Sequence, residues 1–60
     1  MQYTYLVVRE NMVTGERTGR PRKITRYKPL KLNGLYCHLD SNLKGFWRVL
    51  ELVEQKELDD

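Results

Sequence analysis

The chain has 60 residues, of which 40% are hydrophobic and 32% charged, and a formal net charge of +3. A chain this short buries only about 60% of the surface its unfolded form exposes, so residues 1–60 make one small domain, too apolar in composition to be wholly disordered. The lone cysteine, Cys37, excludes an internal disulfide and any Cys-x-x-Cys pair. No apolar run reaches the roughly 18 to 20 residues that cross a bilayer, and "MQYTYLVVRENMV" lacks the pattern of a signal peptide, so the expected setting is cytoplasmic with no membrane partner.

The opening segment QYTYLVVRE predicts a strand. Tyr3, Tyr5 and Val7 share one face, Thr4, Leu6 and Val8 share the other, and the aromatic and β-branched content fits a pleated surface. Turn chemistry then concentrates in TGERTGRP at 14–21. Gly15 can take a positive φ, so the chain is expected to double back there or, less tightly, at Gly19. Residues 22–28 follow as a polar edge strand, with Lys23, Thr25 and Tyr27 alternating against Arg22, Ile24 and Arg26. Pro29 ends its ladder because proline has no N–H to donate.

In LKLNGLYCHLD, Asn33-Gly34 marks a turn or bulge, after which Leu35, Cys37 and Leu39 alternate with Tyr36, His38 and Asp40. The first set is expected to face the core, with Cys37 buried and inert. A loop at 40–45 precedes GFWRVLELVE, whose apolar spacing fits two readings: Phe46, Val49, Leu50 and Val53 at helical spacing, or a strand over 45–53. The strand is favoured, because the glycine and loop before it make a hairpin with 35–39 and Phe-Trp-Arg-Val is rich in β formers. Residues 54–60 form an acidic tail that frays or turns helical.

These segments predict an all-β fold of about four strands, a small curled antiparallel sheet or SH3-like barrel with room for a short C-terminal helix; the alternative is α+β with 46–57 helical. LKLNGLYCHL and GFWRVLELVE resemble the paired strands of Src-homology-3-like barrels. That resemblance implies a fold and no particular ligand. Apolar residues on both faces of the first and last strands exceed what one curled sheet hides, so either a homodimer or the tail is expected to cover the surplus.

The residues argue against catalysis and against a bound metal or cofactor. In Cys37-His38-Leu39-Asp40, neighbours on a strand point to opposite faces, so His38 sides with Asp40 and the thiol has no base. Zinc wants three or four converging ligands, and this segment supplies two that diverge. Gly15 and Gly19 lack the lysine and hydroxyl of a phosphate loop.

What stands out is charge. Arg17, Arg20, Arg22, Lys23, Arg26, Lys28 and Lys31 lie in a run without an acid, whereas Glu51, Glu54, Glu57, Asp59 and Asp60 face a single Lys56. The seven cations are the candidate nucleic-acid-binding residues, with Tyr27, Tyr36 and Trp47 as candidate stacking partners. Within the run, Gly19-Arg20-Pro21-Arg22-Lys23 resembles the core of the AT-hook, an extended element that lies in the minor groove of A·T-rich DNA. Thr18 stands where that family has an arginine, so the resemblance implies one groove-inserting side chain, Arg20, with Arg22 and Lys23 on phosphates. Two functions follow as expectations: a small non-enzymatic domain that binds DNA or RNA, or an interaction module that docks by sheet edge or apolar face on an acidic protein partner.

Overall fold

The structure is a computed structural model and describes residues 1–57. Four antiparallel strands, β1 (Gln2–Glu10), β2 (Arg17–Arg26), β3 (Leu35–Cys37) and β4 (Phe46–Lys56), form one sheet in the order β2-β1-β4-β3. The sheet curls into a half-barrel that fits a small all-β, Src-homology-3-like architecture. The described residues contain no helix, so the helical alternative for 46–57 is set aside as far as Glu57. Residues 54–56 belong to β4, where Gln2, Tyr3 and Thr4 pair with Lys56, Gln55 and Glu54. The remainder of the expected tail, 58–60, lies outside the described residues.

The curl comes from irregular pairing. Against β4, the register of β1 slips between Thr4 and Tyr5 and again between Leu6 and Val7, leaving Val53 and Leu50 as extra residues on β4. Each bulge bends its strand and increases the local twist. One face becomes concave and holds the core of Tyr5, Val7, Ile24, Leu43, Trp47 and Val49, flanked by Tyr3, Leu30, Tyr36 and Leu39.

The β1–β2 reversal is set by Asn11. Its side-chain oxygen accepts from the backbone N–H of Val13 (2.8 Å) and Thr14 (3.0 Å), and its carbonyl accepts from Gly15 N–H (2.8 Å), which has φ +75°. β2 and β3 lie at opposite edges of the sheet, so the chain between them must cross it. In that crossing, Leu30 packs on the core and its N–H donates to Tyr5 Oη (2.9 Å), while Lys31 N–H donates to Tyr36 Oη (2.8 Å). Leu30 therefore joins the core from a connection that shows no periodicity in the sequence.

Two expectations are corrected here. β2 starts at Arg17, five residues before the predicted strand, because the turn closes at Glu16: Asn11 N–H donates to Glu16 O (2.8 Å), and it stops at Arg26, short of the expected end at 28, so its ladder closes before Pro29 is reached. β3 stops at Cys37, since His38 takes φ +53° and breaks the alternation. Cross-strand partners share a face, and Tyr36 opposes Trp47 while Cys37 opposes Phe46. Tyr36 is thus the residue packed on the core, and Cys37 is exposed on the convex side instead of buried. A thiol reagent should accordingly label Cys37 in native buffer nearly as fast as in denaturant. Labelling slowed by an order of magnitude or more in the native state would contradict this exposure.

A candidate nucleic-acid interface

The seven basic residues divide by what they touch. Arg17 Nε donates to Glu10 Oε1 at 3.3 Å. Arg26 donates to the carbonyls of Leu39 and Thr25 and lies 3.8 Å from Asp40 Oδ2, fastening β2 to the 38–45 loop. Asp40 is held below the usual carboxylate range by the N–H of Asn42 first and the Ser41 hydroxyl second, with Arg26 adding to them. Arg20, Arg22, Lys23, Lys28 and Lys31 are exposed, and their side chains make no hydrogen bond or salt bridge to any described residue. Sequence reasoning grouped seven cations; the structure occupies two of them in holding the fold.

Tyr27, 70% exposed, sits between Arg26 and Lys28 just beyond the end of β2. The other two aromatic candidates are packed inside. Trp47 is 5% exposed, with its indole N–H donating to Lys44 O at 3.1 Å, and Tyr36 is half-buried.

The Gly19-Arg20-Pro21 step lies within the edge strand and not in the expected loop. Val7 pairs with Arg22 and Arg9 with Thr18, so Gly19, Arg20 and Pro21 together oppose Val8 alone. Gly19 has φ +75°, a value that glycine accommodates without strain, and Pro21 has no N–H to lose at the bulge. The glycine and proline thus have a local structural reason. The bulge also places Arg20 beside Arg22.

Arg20 and Arg22 line a cleft of about 320 Å³ with Arg9, Thr18, Asn42 and Trp47. Arg9 comes from β1, outside the basic run, and is brought there by register: it opposes Thr18 on β2 and Trp47 on β4. Its guanidinium carbon lies 5.5 Å from the Trp47 ring centroid, and Nη2 donates to Lys44 O at 3.1 Å. Among the described residues, no acid lines this cleft. A larger one of about 690 Å³ on the other side of Arg9 mixes Glu10 and Glu16 with Arg9 and Lys44, which suits an anion less.

Comparison with protein-family models, with curated proteins and with solved structures gives no match. The functional reading therefore stands on geometry and charge.

Proposed function

We propose that this is a small non-enzymatic domain that binds the phosphate backbone of nucleic acid along its basic edge strand and the connection that follows it. The observation that carries the reading is the row of exposed, unengaged cations Arg20, Arg22, Lys23, Lys28 and Lys31 with no acid between them in sequence. Such charges contribute little to folding and repel one another. Against a polyanion the same charges release condensed counterions, which drives binding. Exposed Tyr27 adds a ring on which an unpaired base can stack.

Five phosphate contacts at about 0.9 each give an expected log–log slope of affinity against salt of up to about −4.5. Lys28→Ala should make it shallower by about one. Because Arg20 sits on a bulge of a paired strand, Arg20→Ala should weaken A·T-rich and G·C-rich duplexes alike; a loss confined to A·T-rich DNA would restore the minor-groove reading. Absence of binding to duplex or single strand at low salt sinks the proposal. A second reading, a protein-docking module, is favoured by half-buried Leu35 and Phe46 on the convex face, Phe46 paired with exposed Cys37 and Leu35 two residues before it on β3. Binding through that face would be nearly insensitive to salt.

A further inference from the structure

Resting on that reading but confined to one site, we infer that the Arg9–Arg20–Arg22 cleft is the seat of a single phosphate group. Three guanidiniums around a space of about 320 Å³, with no carboxylate among the described residues that line it, is an arrangement that an oxyanion resolves. The cleft is built in part before any ligand arrives. Arg9 is fixed by Lys44 O and by the Trp47 ring beneath it, so little rotamer freedom remains to be lost on binding, and only some of its N–H donors are occupied. Arg22 is held on the concave side by its pairing with Val7, and Arg20 is carried by the bulge. Thr18 and Asn42 add a hydroxyl and an amide. Arginine suits the task better than lysine, since its planar fork meets two phosphate oxygens at once.

The chemistry is shared by a free phosphate and by a phosphodiester of a nucleic-acid strand. Trp47, the only tryptophan, lies under Arg9 and reports on either, and separate titrations tell them apart. An anion on Arg9 alters the charge over the indole, so tryptophan fluorescence reports occupancy of this cleft and of no distant site. The experiment titrates the full chain with sodium phosphate against sodium chloride at matched ionic strength, and separately with a single-stranded oligothymidylate.

A saturable fluorescence change with phosphate and none with chloride is expected. Arg22→Ala should weaken it roughly tenfold, the loss of one charge-assisted contact, while Arg22→Lys should recover part of it and Lys56→Ala, at the far end of β4, should leave it unchanged. A linear response, a response equal to that of chloride, or one untouched by Arg22→Ala overturns the inference. Oligonucleotide binding with no fluorescence change also overturns it, leaving the basic-strand reading in place. Saturation by phosphate without any binding of oligonucleotide supports the cleft and removes nucleic acid as the source of its ligand.

Discussion

Trp47→Ala should remove most of the chain's stability in water at 25 °C. A 60-residue domain at about 0.05 to 0.15 kcal/mol per residue has roughly 3 to 9 kcal/mol of stability in all. Truncating a buried tryptophan costs about 3 to 5 kcal/mol, because the lost burial is joined by the cavity left behind. This position should fall toward the upper end. Trp47 packs in the centre of the core with Val7 and Val49, both fully buried, and its N–H holds the 40–45 loop through Lys44 O, with Leu43 buried beside it. The loop and Arg9 would lose their support together. Urea unfolding followed by far-ultraviolet circular dichroism should put the midpoint of Trp47→Ala far below that of the wild type. Trp47→Phe, which keeps an aromatic ring but not the donor, should fall between, and Leu52→Ala, at a position already part-exposed, should stay close to wild type. A Trp47→Ala midpoint equal to wild type contradicts the assigned core.

How far the sequence shows this fold depends on whether a residue's environment is local. β1 is legible over its nine residues, and β4 as far as Val53, where Phe-Trp-Arg-Val and the preceding loop favour a strand over the helical spacing; its last residues, Glu54 to Lys56, read as a tail and become strand only through pairing with Gln2 to Thr4. The edge position of β2 is legible too, since all of its residues but Ile24 are polar, glycine or proline and Pro29 follows shortly after it. The faces of β3 are not. Three residues are too few for alternation to decide, and the outcome rests on which residue of β4 stands opposite, so Tyr36 takes the core position expected for Cys37. Leu30 and Leu43 join or flank the core from connections, where no period flags them.

The candidate site shows the same division. Charge composition alone picks out the cations of β2, but it cannot separate Arg17 and Arg26, which hold the fold, from their exposed neighbours. It also misses Arg9, which register carries into the cleft from another strand. Gly19 and Pro21 read in sequence as a groove-binding step, whereas in the fold they meet the demands of a bulge. The usable signal for Arg9 was its place opposite a tryptophan, which appears only once the strands are aligned.

Glu10 escaped notice in the sequence and is expected to govern the response to acid. It ends the face of β1 that carries Thr4, Leu6 and Val8, and it is only 7% exposed. Oε2 accepts from Arg48 Nε at 2.8 Å and from Arg48 Nη2, Oε1 accepts from Arg17, and Arg48 Nη1 reaches Asn33 O at 2.6 Å. The clasp ties β1 to β4 and to the turn before β3. Hydrogen bonding from Arg48 holds the carboxyl below its ordinary value of 4.5, outweighing the burial that would raise it, with Arg17 adding to the effect. Because the folded value is depressed, the unfolded chain takes up the proton first as pH falls. The clasp's stabilisation is therefore fully present above about pH 4.5 and is lost progressively below it, as pH approaches the folded value. The melting temperature of the wild type should be level from pH 8 to about 5 and then drop, with Asp40, also depressed, contributing in the same direction at still lower pH. Glu10→Gln should melt lower at pH 7 and show a shallower acid drop. Arg48→Met should be the most destabilised at pH 7, because it leaves a buried carboxylate with only Arg17 at 3.3 Å. In that variant only Arg17 opposes the burial that raises the carboxyl, so the folded value is depressed less and the acid drop in melting temperature should be shallower than in wild type. An acid drop in Glu10→Gln as steep as in wild type would remove Glu10 from the account, and an acid drop in Arg48→Met as steep as in wild type would show that Arg17 alone holds the carboxyl down.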